Sequence, residues 1–456
     1  MPAPLTRAYA EFAASLRSAV LPDFVRDVAR LGFTDCAGVI LAGRNEPVVQ
    51  RLAAYIRKVG AVPRARMIFG TTRAGMAQAG FLNATTAHAL DFDDYAYSNH
   101  PSAVLVPTVM AAAEAVGADG ARMVAGYAAG YEIWGDLMLR EPDHFYPVGW
   151  HPTAVLGPIG AAAAASVVLG LNADQTQHAL ALAASLAGGV FENFGTMAKP
   201  MHGGRAAEAG LIAAGLAEEG IEASPTALES NTGLMRAVSP NRRTDRDTPS
   251  RLGTVWRIEK MRVNIKKYPT VGASQRGIDA ALALRNAGGF DIADITKIEA
   301  HIGDKHQTVM PYHRPQTALE AKFSIEFAVG CALLHGGVGL MQLQDTIVAS
   351  AEMQRVMSLV EPVVTTDFDP DYPNAAPFDL VRVTLKSGVV LESPQVRRAT
   401  GHADVPLPVS ELRAKFDDCA AYGGADPKTA ASLFDAMQKI DTLPGVSAIP
   451  LLDDVV

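Results

Sequence analysis

Alanine dominates most predicted helices in the first 255 residues, and this constrains the fold more than any other feature of the sequence. Segments with helical periodicity and few large side chains follow one another with short breaks. Helices with small side chains can pack closely, so a multilayered bundle with most helices buried is expected. The clearest of these helices are predicted over residues 23–42, 103–116, 121–139, 160–169, 174–186 and 205–219.

The pattern changes near residue 254 to a mixture of strands and helices. Strands are predicted over residues 255–263, 295–302, 380–385 and 389–392, the last two as a hairpin around Lys386-Ser387-Gly388. Helices are predicted over residues 272–287, 322–334 and 346–360, and again over residues 411–422 and 428–440. The predicted fold class is α-dominated, with a large all-helical domain from both chain ends and a smaller inserted α/β lid domain. Residues 1–255 plus 402–456 form the first domain and residues 256–401 the second.

Composition and charge narrow the class of protein. The chain has 49% hydrophobic residues, 19% charged residues and a net charge of -8, with no basic run, so nucleic acid is not an expected partner. The three cysteines lie far apart, without the spacing of a disulfide framework or a zinc site. The N-terminal residues lack a signal-peptide core, and residues 152–173 predict a buried helix rather than a membrane span. A cytoplasmic protein without a membrane partner is expected.

Three aspartates follow a predicted helix over residues 80–90. Asp91, Asp93 and Asp94 lie where the helix macrodipole is negative and disfavours acids. Ionising all three is costly unless nearby cations compensate or one acid stays protonated. Shifted pKa values of this kind are typical of acid/base active sites. His100, which closes this loop before an apolar helix, is a candidate partner of the aspartates.

Cationic side chains and glycines precede the helix predicted from residue 206. Lys199, His202 and Arg205 surround Gly203 and Gly204. A helix N-terminus offers unpaired N–H groups and a positive dipole end, and glycines allow close approach of a ligand. The segment therefore predicts a site for an anion, either carboxylate or phosphate.

Two further segments contain candidate site residues. His151 follows Tyr146 in a histidine-proline loop, where a packed loop histidine is an equally good interpretation. Lys266, Lys267 and Tyr268 begin the α/β domain, where one ammonium group could reach a cleft between domains. A solvated lysine pair is the commoner case. Phosphate-binding fingerprints and the Gly-x-Ser-x-Gly motif are absent, so neither nucleotide binding nor a covalent serine mechanism is indicated.

Taken together, these motifs resemble the MmgE/PrpD family, which includes 2-methylcitrate dehydratase, cis-aconitate decarboxylase and iminodisuccinate epimerase. The resemblance covers nearly the whole chain, and the order and spacing of the motifs make it specific. The motifs are His88-Ala89-Leu90-Asp91-Phe92-Asp93-Asp94, His100-Pro101-Ser102, Gly149-Trp150-His151-Pro152-Thr153, Lys199-Pro200-Met201-His202-Gly203-Gly204-Arg205, Lys266-Lys267-Tyr268-Pro269, Lys322-Phe323-Ser324 and Lys415-Phe416.

The resemblance implies a lid domain, a homodimer and metal-free chemistry, without a cofactor, on small di- or tricarboxylates. The family's active-site aspartate, histidines and lysines match Asp91, His100, His151, Lys199 and Lys266. This chain departs from the family pattern at three positions. Val271 replaces a histidine of the decarboxylases, Tyr95 replaces a threonine, and Phe327 replaces a frequent tyrosine. These departures argue against decarboxylation.

The residues and the resemblance together predict a lyase that removes a proton next to a carboxylate and eliminates water from a small hydroxy di- or tricarboxylate. His100 and His151 would divide the acid and base roles, with Asp91 as orienting partner and Lys199 and Lys266 as carboxylate binders. The remaining predicted substrate-binding residues are Tyr95, Tyr146, His202, Arg205, Lys267 and Tyr268.

Three alternatives stay open at this point. An epimerase would use the same groups on opposite faces of one carbon, and a decarboxylase would act on a related polycarboxylate. A helical metalloenzyme would hold a divalent cation with Asp91, Asp94, His88 and His100. A non-catalytic polycarboxylate-binding protein is suggested by Val271 and Phe327.

Overall fold

The computed structural model describes residues 4–372 and 375–454, whose contacts group into two units. The first unit comprises the described parts of Met1–Glu192, Met197–Val263 and Val409–Val456. The second comprises Asn193–Thr196 and the described parts of Asn264–Pro408. The first unit is helical and the second contains a sheet, which confirms the predicted α-dominated fold class with a smaller α/β part.

Eleven α-helices and one short hairpin make up the described chain of the first unit as far as Val263. The helices are α1 Leu5–Ser15, α2 Asp23–Gly43, α3 Pro47–Val59, α4 Met76–His88, α5 Pro101–Val116, α6 Gly120–Leu139, α7 Pro152–Leu169, α8 Ala173–Leu186, α9 Ala198–Glu218, α10 Leu234–Val238 and α11 Arg257–Lys260. The hairpin strands are β1 Ala65–Arg66 and β2 Arg73–Ala74, which pair antiparallel.

Helix α7 is central to this unit, where α6 and α9 pack against it. Seventeen of its 18 residues are buried, which confirms the predicted core helix. By length and apolar composition it is also the one helix in the described chain that could span a bilayer, although 94% of it is buried inside the protein. Small residues set the packing distance, because a Cβ at Gly210 of α9 would lie 2.4 Å from Ala161 Cβ of α7.

The second unit is a four-stranded sheet with helices against it. Its elements are α12 Gln275–Ala287, β3 Ile295–Gly303, α13 Asp304–Thr308, α14 Ala318–Ala321, α15 Ile325–His335, α16 Asp345–Val348, α17 Ala351–Met357, β4 Val360–Thr365, β5 Leu380–Leu385 and β6 Val390–Glu392. The strand order is β4-β3-β5-β6, with β3 parallel to β4 and antiparallel to β5. Residues such as Ile298, Val329 and Val381 form its buried apolar core.

After the second unit the chain returns to the first with α18 Val409–Tyr422 and α19 Pro427–Met437. Both helices pack on α2. Lys415 of α18 binds Asp35 of α2, with 2.6 Å between Nζ and Oδ1, and donates to the Phe92 carbonyl at 2.8 Å. The last helices therefore help to fix the loop that follows α4.

Three predicted elements are wrong. Residues 255–263 do not form a strand and instead contain the short helix α11. The buried Glu132 carboxylate accepts from the N–H groups of Arg257 and Ile258 at 2.7 and 2.8 Å and so caps the start of this helix. The helix predicted over residues 346–360 is split into α16 and α17, and β4 follows. Helix α9 begins at Ala198, before the glycines that were predicted to precede it.

Candidate active site

The acidic loop begins directly after α4 with a strained residue. Asp91 adopts a left-handed backbone conformation, φ 53°, which is uncommon outside glycine. Such strain persists only where surrounding contacts hold it, and it is concentrated at functional sites. Asp91, Asp93 and Asp94 are all buried. The loop therefore buries three acids, and each of them has a different partner.

Asp93 lies between two histidines. Its Oδ1 is 2.9 Å from Nδ1 of His88 and its Oδ2 is 2.8 Å from Nδ1 of His100. The two rings are close neighbours, with centroids 4.3 Å apart. Burial opposes ionisation of Asp93, but electrostatic attraction to His88 and His100 and their hydrogen bonds outweigh it and hold the Asp93 pKa well below its usual value. Asp93 is therefore a carboxylate.

The tautomers of these two histidines follow from that charge. A carboxylate can only accept, so both Nδ1 atoms carry a proton, and in the neutral form of each ring the lone pair is then at Nε2. Burial, against the favourable charge of Asp93, lowers the pKa of His88 to about 3. His88 Nε2 has no hydrogen-bond partner among the described residues. His88 is thus a neutral imidazole at physiological pH.

Asp91 has a different partner, the ammonium group of Lys199. The two side chains form a buried ion pair and hydrogen bond. Lys199 occupies the first turn of α9, where a close approach of α9 to α4 brings it to the loop. Asp91 Oδ1 is also 3.9 Å from His100 Nε2. One carboxylate oxygen therefore lies near both an ammonium and the lone pair of an imidazole.

A second histidine pair lies beside the first. His151, the residue before α7, and His202 of α9 face each other with their Nδ1 atoms 3.0 Å apart. The rings of His88 and His151 are stacked at 6.3 Å. Burial, and then the charge of Lys199, lowers the pKa of His151 well below its usual value and the pKa of His202 to about 4. Both are neutral near pH 7, so one must donate to the other.

Asp94 takes no part in this cluster. It accepts from the Ser102 N–H at 3.3 Å, and burial next to Asp35 raises its pKa well above the usual value. Burial and Asp35 thus favour the protonated form of Asp94, as expected for one member of a crowded set of carboxylates. Its hydrogen bond to Ser102 joins the loop to the first turn of α5.

The predicted metal alternative needs one correction, because Asp93 and not Asp94 lies with the other donors. Ligand atoms of His88, Asp91, Asp93 and His100 all lie within 4.8 Å of one another. Asp93 already accepts from both Nδ1–H groups, and Lys199 supplies the cation beside Asp91. A divalent ion would have to displace the ammonium, so this donor set does not fit a resident metal.

Arg205 lies apart from the cluster. Its half-exposed guanidinium pairs with Glu208 and lies 5.8 Å from the ring centroid of Phe81. Helix packing explains why position 204 is a glycine, because a Cβ at Gly204 would meet Thr85 Oγ1 of α4 at 2.1 Å. Residues 198–205 are thus the first turns of a helix packed on α4, not a glycine loop around an anion.

The other predicted residues divide between the two units. Tyr146 stacks on His151 with ring centroids 6.4 Å apart, and Tyr95 is half-buried within the acidic loop. In the second unit Lys266 is fully buried and Lys267 is exposed, which separates the predicted lysine pair. Tyr268 is buried, and its hydroxyl donates to Asp279 at 2.6 Å.

The sequence predicted Asp91 as the orienting partner of the acid/base histidines without saying which ring it holds. In the structure Asp93 holds His100 and also His88. His88 was considered only as a metal ligand. The signal was present in the motif itself, because His88, Asp93 and His100 lie on one tight loop, but only coordinates decide which of three neighbouring acids turns toward which ring.

Comparisons with known proteins match almost the whole chain. The models of the MmgE/PrpD N-terminal domain and C-terminal domain match residues 7–247 and 268–439. Cis-aconitate decarboxylase of Mus musculus is 27% identical, over 98% of this chain and 93% of that protein. The Homo sapiens protein of that name is 29% identical over 74% and 71%, and the Aspergillus terreus protein is 23% identical over 98% and 95%.

Proposed function

Because the chain belongs to the MmgE/PrpD family, we propose that it is a lyase that removes a proton next to a carboxylate of a small di- or tricarboxylate and eliminates water from it. One observation carries this proposal: a buried group of neutral imidazoles adjoins the Asp91–Lys199 ion pair in the first unit. Neutral imidazoles exchange protons near physiological pH. An ammonium in a buried site stabilises the negative charge that proton removal creates.

The proposed roles follow from these contacts. His100 and His151 exchange protons with the substrate, because each ring is held from Nδ1 by a defined partner. Lys199 binds a substrate carboxylate, Asp91 positions Lys199, and Asp93 positions His100. Lys266 remains a predicted second carboxylate binder, as the family resemblance implies. No cofactor enters this scheme.

Decarboxylation is the second candidate, and the names of the relatives favour it. Several similar proteins are called cis-aconitate decarboxylase, at 23–29% identity. Decarboxylation also develops negative charge next to a carboxylate, so Lys199 would serve it equally well. Val271 replaces the histidine that the resemblance assigns to decarboxylases, which favours elimination of water in this chain.

A panel of carboxylic acids tests the proposal. Purified protein is given 2-methylcitrate, citrate, related hydroxy acids and cis-aconitate, with absorbance recorded for new double bonds and carbon dioxide release recorded separately. New double bonds from a hydroxy acid, unaffected by a chelator, are expected. Carbon dioxide from cis-aconitate would select the second candidate. Deuterium entering from heavy water without net conversion would indicate epimerisation, and a chain inert to the whole panel would contradict the proposal.

A further inference from the structure

The two candidate acid/base histidines differ in what faces their Nδ1 atoms. His100 faces the carboxylate of Asp93 at 2.8 Å, whereas His151 faces the imidazole of His202 at 3.0 Å. We propose that this difference assigns the roles, with His100 as the base, His151 as the acid, and Asp93 and His202 as the positioning residues that decide it. The inference rests on the proposed function and specifies how its site works.

The base assignment follows from the carboxylate. Asp93 cannot donate, so His100 keeps its proton on Nδ1 and offers a lone pair at Nε2. When Nε2 takes a proton, the imidazolium gains a charge-assisted hydrogen bond to Asp93. His88 donates to the other oxygen of Asp93 and so keeps the carboxylate turned toward His100. His88 is therefore a third positioning residue, acting through Asp93.

The acid assignment follows from the second imidazole. Two neutral rings that face each other through Nδ1 share one proton between those atoms, and His202 can be its donor. His151 then accepts at Nδ1 and carries its own proton at Nε2, the form that can protonate a leaving hydroxyl. His151 is fully buried, while His202 retains 8% exposure. Protons from solvent therefore reach His151 through His202.

Every proton is accounted for when water is eliminated. His100 Nε2 takes the proton from the carbon next to the carboxylate, and His151 Nε2 gives its proton to the hydroxyl, which leaves as water while the double bond forms. His151 Nδ1 takes the proton that His202 Nδ1 gives up, and His202 Nε2 takes one from solvent. His100 then returns its proton to solvent. After product release, water entering the site protonates His151 Nε2, the Nδ1 proton of His151 passes back to His202 Nδ1, and His202 Nε2 loses its proton to solvent.

The base assignment is tested with Asp93→Asn beside the matched control Asp94→Asn. The asparagine carries no charge to stabilise an imidazolium, so exchange of substrate hydrogen with heavy water should fall by about 10²–10⁴-fold. Asp94 lies outside the cluster, and burial raises its pKa and so favours its uncharged form, so its isosteric amide should leave exchange and turnover near the wild-type rate. Equal losses in both folded variants, or undiminished exchange in Asp93→Asn, would overturn the assignment.

The acid assignment is tested with His202→Asn, which can donate to His151 Nδ1 but cannot pass a proton on. Exchange of the carbon-bound hydrogen should persist, because it needs only His100, while elimination should fall at least tenfold. Asp93→Asn should lose both reactions. Loss of exchange in His202→Asn would make His151 the base and reverse the assignment, and unimpaired elimination in that variant would show that His202 does not relay protons.

A measurement that needs no substrate separates this inference from the proposed function. Nitrogen-15 NMR of ring-labelled protein reports which nitrogen of each histidine carries the proton. The expected result is Nδ1–H for His88 and His100 and exchange between both forms for His151, with assignments from single-histidine variants. Nε2–H on His100 would refute the base assignment even if the enzyme is active. If the tautomers are as expected but no carboxylic acid is turned over, the assignment of the positioning residues is correct and the proposed function is wrong.

Discussion

Two aspartates of the same loop have opposite surroundings. Asp91 pairs with an ammonium and Asp93 with two imidazoles, although they are two positions apart in the sequence. The backbone at Asp91 is left-handed, with φ 53°. The loop thus places a carboxylate–ammonium pair beside a carboxylate–imidazole group.

Replacing Lys199 by methionine tests what the Asp91–Lys199 ion pair contributes to catalysis and to stability. The expected result is a loss of about 10²–10³-fold in kcat, because the group that stabilises developing charge is removed. The uncompensated Asp91 carboxylate should also lower the free energy of unfolding by about 3–5 kcal/mol, as measured in urea.

The double variant Asp91→Asn/Lys199→Met is the control. It removes the buried charge as well and should recover most of the stability but none of the activity. Recovery of activity would mean that Lys199 acts only by supporting the fold.

At the scale of elements, close helix packing brings the loop, α7 and α9 to one place. Gly204 lets α9 approach α4, and Gly210 lets it approach α7. Lys199 and His202 lie in the first turns of α9, so its position decides theirs.

Gly210→Ala and Gly215→Ala separate packing from helix propensity within α9. The added methyl at Gly210 meets Ala161 at 2.4 Å and should cost about 1–3 kcal/mol of unfolding free energy. Nothing lies within 4 Å of a Cβ at Gly215, so the same change there should stabilise the protein by about 0.5–1 kcal/mol. Urea denaturation measures both, and similar effects at the two positions would contradict close packing as the reason for glycine.

Helix α18 supports the loop through one residue. Lys415 binds Asp35 and the Phe92 carbonyl, and its ammonium lies 4.0 Å from the ring centroid of Phe92. Lys415→Met should therefore destabilise the protein by about 3–5 kcal/mol and reduce kcat through the displaced loop. Lys415→Met/Asp35→Asn should restore most of the stability, whereas a stable single variant would show that α18 does not hold the loop.

At the scale of the whole molecule, buried neutral histidines make the protein sensitive to acid. The His88 pKa is about 3 in the folded chain and near 6.5 when unfolded. Between these values the unfolded chain binds more protons, so the contribution of His88 to stability is present above pH 6.5 and is lost as the pH falls.

His88→Asn keeps a donor for Asp93 but removes this titration. Between pH 6.5 and 4, the unfolding free energy of the wild type should fall more steeply than that of the variant by up to about 1.4 kcal/mol per pH unit. Urea denaturation at several pH values measures the two slopes. Parallel slopes would mean that His88 is protonated in the folded protein.

The sequence by itself determined the fold class and most helices, because alanine-rich periodicity and caps act locally and need no partner. The order of its motifs also gave the family and the residues Asp91, His100, His151 and Lys199. Tertiary structure alone decided that Glu132 caps a helix at residues 257–260. It also decided that Asp93 rather than Asp91 orients His100, and that Arg205 lies outside the cluster. Hydrogen bonds to buried polar groups join residues distant in sequence, so their partners are set by packing and by the cost of leaving a buried charge unpaired.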